Sequence, residues 1–149
     1  MAHRFPEINA YGSAFGFALE AERACADLAA AAQVLAPTPD WHEKLDEVIC
    51  THDDRVQKLT TIRQEVNEMI LEPIDTLDGT QYLGALDTDP ATTWPAVVEQ
   101  LIKALDDTAR FHEDFVRECE QILAASVRAF KKAAKQDRER AEELRGKLG

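Results

Sequence analysis

The sequence predicts an all-α protein, a four-helix bundle built from two helical hairpins joined by a long connection. Three observations predict it. Apolar residues recur at steps of three and four over long segments, the period of a helix face. The composition is rich in alanine, with only six Gly and six Pro in 149 residues, which suits packed helices better than a sheet. Residues 72 to 94, "EPIDTLDGTQYLGALDTDPATTW", hold no sustained period, and a connection of that length is what a crossover between parallel helices requires.

The first helix is expected from Ser13 to Leu35. Phe17, Ala21, Ala24, Leu28, Ala31 and Leu35 form its stripe, with Ser13 as N-cap. "APTPD" (36–40) stops it, and Asp40 can cap the next helix with Glu43 three residues on. That helix is expected from Trp41 to Leu71, with a stripe of Leu45, Val48, His52, Val56 or Arg55, Leu59, Ile62, Val66 and Met69. After Pro95 a third stripe runs through Val98, Leu101, Leu105, Thr108, His112, Phe115, Cys119 and Ile122. A fourth runs through Leu123, Val127, Phe130, Ala134, Asp137, Ala141, Leu144 and Leu148. The two are out of phase by one residue, so either a tight turn falls within 119–125 or one very long helix carries a stutter. Helices of ordinary length favour the turn.

A chain of 149 residues is expected to form a single domain over 1–149 that buries a genuine core. Its formal charge of −11 argues against nucleic acid, whose phosphates need a basic face, and against an anionic membrane surface. No apolar run is long enough to span a bilayer, and "MAHRFPEINAYGS" lacks the apolar centre of a secretory signal. The expected location is cytoplasmic. Cys25, Cys50 and Cys119 form no CxxC and read as free thiols used in packing. There is no phosphate loop, nucleophile elbow or HExxH. A phosphotransfer bundle would need an exposed histidine among small or basic residues, whereas His52 precedes two aspartates.

The halves of the chain align. "ALEAERACADLAA" (18–30) lies over "ALDDTARFHEDFV" (104–116), matching Glu20 with Asp106. "THDDRVQKL" (51–59) lies over "QDRERAEEL" (136–144), matching His52 with Asp137 and Arg55 with Arg140. On these segments the chain resembles the ferritin-like superfamily, on the rubrerythrin side. "ALEAE" resembles that group's first iron-bearing helix, and "HDDRVQKLTTIRQE" and "KQDRERAEELRGKL" resemble its Glu-x-x-His helices. The resemblance covers most of the chain outside 72–94. It implies a ferritin-like bundle with a di-iron centre, one Glu from each of two helices and a Glu-x-x-His from each of the others.

The key positions depart from that pattern. Glu20 is present, but its mate is Asp106. The first Glu-x-x-His reads His52-Asp53-Asp54-Arg55 and the second Asp137-Arg138-Glu139-Arg140. Arginine stays protonated and cannot ligate a metal. It can pair bidentately with carboxylates that otherwise repel one another in a dry interior. The residues therefore point to a charge-compensated polar core of Glu20, His52, Arg55, Asp106, Asp137 and Arg140, with no metal and no catalytic group. The leading function is non-catalytic, a structural or partner-binding module. The competing reading is an oxidoreductase holding two Fe or Mn through Glu20, His52, Asp106 and Asp137, with Asp53 or His112 in addition. His112 is otherwise expected in the core. Phe15, Trp41, Tyr82 and Trp94 exceed the needs of a narrow helical seam and point to a homodimer.

Overall fold

The computed structural model describes residues 3–65, 71–119 and 124–149. Four α-helices account for most of them: α1 (Tyr11–Val34), α2 (Pro39–Glu65), α3 (Trp94–Cys119) and α4 (Ala124–Leu148). No described helix is long and apolar enough to cross a membrane.

Local chemistry sets the helix ends, one or two residues from where the periodicity put them. Helix α1 begins at Tyr11, and Ser13 is not its N-cap. Ser13 instead sits a residue pair inside the helix and its Oγ accepts from the backbone N–H of Ala10 at 3.0 Å. Helix α2 is capped by Thr38 rather than Asp40. Thr38 Oγ1 accepts from Trp41 N at 3.2 Å, and Pro39 takes the first helical position, where its missing N–H costs nothing. The second helix was expected to reach Leu71; it is described through Glu65, and Leu71 lies in a turn, 85% exposed. Val66 and Met69 of its expected stripe lie outside the described residues.

Cross-helix pairs fix the directions. His52 of α2 meets Glu22 of α1 while Gln33 of α1 meets His42 of α2, so the first two helices are antiparallel. Arg138 pairs with Glu113 and Arg145 with Asp106, so α4 folds back along α3. A single rod through the final third of the chain is thereby excluded. The expected turn falls partly on residues 120–123, outside the described residues. Helix α1 also runs antiparallel to α3, as Tyr11 meets Phe115 and Glu22 meets His112. Helices α2 and α3 therefore point the same way, and the chain must travel the length of the bundle between them. Two short 3₁₀ turns, Gly79–Tyr82 and Gly84–Asp87, order that passage.

The aromatics beyond the helical seam pack within the chain, Tyr82 from the crossover and the others between helices. Tyr82 stands edge-on to Phe111 at 5.3 Å, and Phe15 is fully buried against Phe115 and Phe130. Trp41 and Trp94 meet edge-to-face at 4.9 Å across the α2 and α3 starts. Of the residues offered as a dimer surface, Phe15, Trp41 and Tyr82 are thus buried within the chain and Trp94 is half-buried against Trp41.

Two apolar clusters fill the bundle. One gathers Leu28, Trp41, Leu45, Leu101, Leu105 and Leu144; the other gathers the phenylalanines with Leu59, Ile62 and Tyr82. Along every helix the boundary between them falls mid-length, and there each helix places a polar side chain.

Candidate functional site: a buried charged layer

The layer is made of Glu22 on α1, His52 and Arg55 on α2, Thr108 and His112 on α3, and Asp137 on α4, all buried. Helical spacing carries them there. His52 and Arg55 are three apart and share one face of α2. Thr108 and His112 are four apart on α3. Glu22 continues a stripe of small buried residues, Ala18, Cys25 and Ala29, beside the one read from the sequence.

Arg55 is the centre. Its Nη1 donates to Asp137 Oδ1 and Oδ2 at 2.9 and 3.0 Å, and lies 3.1 and 3.2 Å from Glu22 Oε1 and Oε2. Its Nη2 donates to Gln136 Oε1 at 3.1 Å. One guanidinium nitrogen thus touches all four oxygens of two carboxylates. Both imidazoles attend the same acids. His52 Nδ1 is 2.5 Å from Glu22 Oε2, and its Nε2 is 3.6 Å from Asp137 Oδ1. His112 Nε2 is 3.0 Å from Glu22 Oε1.

Burial opposes charge on each acid, and the neighbours decide which acid keeps it. For Glu22, Arg55 and His52, with hydrogen bonds from His112 and His52, outweigh the desolvation and hold its carboxyl well below the usual range. For Asp137, desolvation wins over Arg55 and His52, helped by the repulsion of Glu22, and its carboxyl is pushed up. Like charges sharing one cation divide in this way. Arg55 keeps its proton: burial works against it, but Glu22 and Asp137 raise it above its ordinary value. Cys25 lies on the edge of the layer, 3.5 Å from Thr108 Oγ1. Burial, then Asp137 and Glu22, push its thiol well up, which makes it inert.

The structure brings together only part of the expected constellation. His52, Arg55 and Asp137 meet in the layer, and of the matched pairs only His52 with Asp137 comes together there. Glu20 is turned outward, holding Arg23 and His3, each at 3.0 Å. Asp106 is also on the surface, paired with Arg145 at 2.7 Å. Arg140 leaves the layer for Glu143, at 2.7 Å, and Glu47. Asp53 is exposed. The physical reason is a two-residue displacement on α1: the buried acid is Glu22, about 200° around the helix from Glu20, on the face of the alanines. Hydropathy alone favours the stripe through Ala21 and Ala24 and so passes over Glu22. The signal that finds it is the 4-3-4 run Ala18, Glu22, Cys25, Ala29, in which one acid interrupts small residues. His112 is in the core, as expected, and serves there as a partner of Glu22.

The resemblance implies iron, and the residues can be tested for it. Donor atoms of Glu22, His112 and Asp137 lie within 4.8 Å of one another, close enough in principle for one ion. One observation stands against it. Arg55 Nη1 already sits among the same carboxylate oxygens, so a dication would face a fixed positive charge. The residues as arranged do not fit a resident cation.

Helices α2 and α4 meet less closely than the other neighbouring pairs. The gap between them opens a cleft of ≈ 460 Å³ that reaches His52 and Asp137. Comparison with known proteins gives no family model, no curated protein and no solved structure that matches this chain.

Proposed function

We propose that this chain is a metal-independent helical bundle, kin to the ferritin-like group, that serves as a structural or partner-binding module rather than an oxidoreductase. The observation that carries this reading is Arg55, whose Nη1 takes the central place among four carboxylate oxygens. A guanidinium there supplies the charge compensation a metal would supply, and supplies no redox chemistry. Kinship is supported by the single long crossover between parallel helices and by the meeting of His52 and Asp137 at matched positions of the two halves. The buried Cys25 and the exposed, free Cys50 suit the reducing, cytoplasmic setting proposed with it.

A ligand that binds only the folded chain raises its stability by about 2.7 kcal/mol at a hundred times its Kd. Thermal melts with excess Fe²⁺ or Mn²⁺, against EDTA, should therefore coincide. A rise of roughly 5 °C or more with either ion sinks this reading and favours the oxidoreductase, with Arg55 displaced from the layer. The homodimer keeps only Val34, Leu35 and Leu71 as large exposed apolar side chains among the described residues. Sedimentation at the mass of one chain would remove it.

A further inference from the structure

Residues 3–10 form a strap that turns back along α1 before the helix begins. Its inner end is fixed: Ile8 is buried, and Asn9 O accepts from Ile74 N at 3.1 Å. Its outer end is held at two points. Phe5 packs on Phe17, with ring centroids 5.1 Å apart. His3 reaches α1 beyond it, its Nδ1 3.0 Å from Glu20 Oε2 and its Nε2 2.9 Å from Asp27 Oδ2. Glu20 and Asp27 are seven residues apart and share one face of the helix. Between the strap and the crossover lies a cleft of ≈ 490 Å³, lined by Phe5, Ile8, Phe17, Leu77 and Leu83.

The placing of His3 depends on its protonation. A neutral imidazole carries one N–H and one bare nitrogen, and only the imidazolium offers a proton on both. Here both nitrogens stand against carboxylate oxygens. Losing a proton would therefore leave a lone pair about 3 Å from a carboxylate, so one attachment turns from attractive to repulsive. The surrounding charges do not supply a substitute cation. Arg23 is committed to the other oxygen of Glu20, at 3.0 Å. Arg4 and Glu7, beside His3 on the strap, are exposed. The charged residues of the crossover are all acids: Glu72, Asp75, Asp78, Asp87 and Asp89. On α3, beneath the crossover, Lys103 and Arg110 are held by Asp107.

We propose that residues 3–7 are a pH-gated strap. With His3 as the imidazolium, the strap is closed over Phe17 and the cleft. As pH rises through the ordinary imidazole range, near 6.5, the attachment at Glu20 and Asp27 fails and the strap lifts about a hinge at Ile8 and Asn9. Phe5 leaves Phe17, and the apolar wall of the cleft opens to solvent. The device is separate from the charged layer, because Glu20 and Asp27 stand on the outer face of α1 and His3 touches none of the layer's residues.

Backbone ¹⁵N relaxation of the full chain at pH 5 and pH 8 tests it. The amides of Phe5 and Glu7 should have order parameters of about 0.8 at pH 5, as in a folded backbone, and below about 0.6 at pH 8. Tyr11 should stay ordered at both. In His3→Gln, which carries no charge at either pH, Phe5 and Glu7 should be mobile at both. In Asp27→Asn the difference between the two pH values should at least halve. Both positions lie on the surface side of the strap and α1, and Tyr11 reports that each variant keeps its fold. Order parameters in the native chain that match at the two pH values, whether high or low, overturn the proposal. A loss of order between pH 5 and pH 8 that is as large in His3→Gln as in the native chain also overturns it, because another group would then be the switch.

Discussion

Replacing Arg55 by methionine removes the one fixed cation between two buried acids and keeps most of the side chain's apolar length. Arg55 is 6% exposed, Glu22 is fully buried and Asp137 is 1% exposed, so little solvent screens the loss. Four short contacts to carboxylate oxygens and one to Gln136 disappear together. Breaking a buried pair by removing one partner costs about 3–5 kcal/mol, because the other charge stays behind. Here two acids stay behind and must share a proton to remain folded. The total stability of a domain is about 5–15 kcal/mol, so the variant loses roughly a fifth of it or more. Urea titration followed by circular dichroism should show the midpoint falling with the slope unchanged, and the melting temperature should drop by roughly 10 °C. Adding Asp137→Leu to Arg55→Met removes one stranded acid and should recover at least half of the loss. The reasoning fails if Arg55→Met costs less than about 1 kcal/mol, the worth of an exposed ion pair, or if the second substitution makes matters worse by its full single-variant cost.

Three further outcomes follow from the same geometry. Glu22 has a carboxyl lowered in the fold, so the unfolded chain binds more protons below the ordinary value of 4.5; its contribution is full above that value and is lost as pH falls. The stability gap between the native chain and Glu22→Gln should therefore widen from about pH 3 to about pH 6. Asp137 has the opposite sign. Its raised carboxyl stabilises the fold below the ordinary 3.8, and that contribution fades as pH rises through the raised value, so the gap to Asp137→Asn should narrow along the same axis; parallel curves for both variants would refute the assignment. Iodoacetamide should modify Cys50 in the native chain and reach Cys25 only on unfolding, as read by peptide mass spectrometry, because Cys25 is buried beside two carboxylates. Gly79→Ala should destabilise by about 1–3 kcal/mol, since its Cβ would stand 2.7 Å from Cε2 of the buried Phe17; a neutral result in denaturation would show that the crossover is free to shift.

The number and order of helices were legible because period and length leave few alternatives: four amphipathic stretches and one aperiodic segment specify two hairpins and a crossover. The ends were less legible. Thr38 and Pro39 outcompete Asp40 as the α2 start because capping depends on backbone geometry that residue type only biases. On α2 the choice between Val56 and Arg55 for the inner face could not be made from hydropathy, which always prefers valine. The structure places Arg55 inside because two acids there need it. The same blindness hid Glu22, an acid on an alanine face whose partners lie on three other helices. His52 and Asp137 were found together through the likeness of the two halves, which carries positional information that polarity does not. Arg140 shows where that symmetry ends: one guanidinium satisfies both acids, and a second would bring uncompensated positive charge into the interior.

The most direct check on charge compensation by Arg55 is the metal content of the protein purified without chelator, read by inductively coupled plasma mass spectrometry beside Arg55→His. The native chain should carry well under one tenth of an equivalent of Fe, Mn or Zn, and the histidine variant, with the guanidinium gone and a ligand in its place, should gain metal. One or more equivalents of Fe or Mn in the native protein would contradict the account.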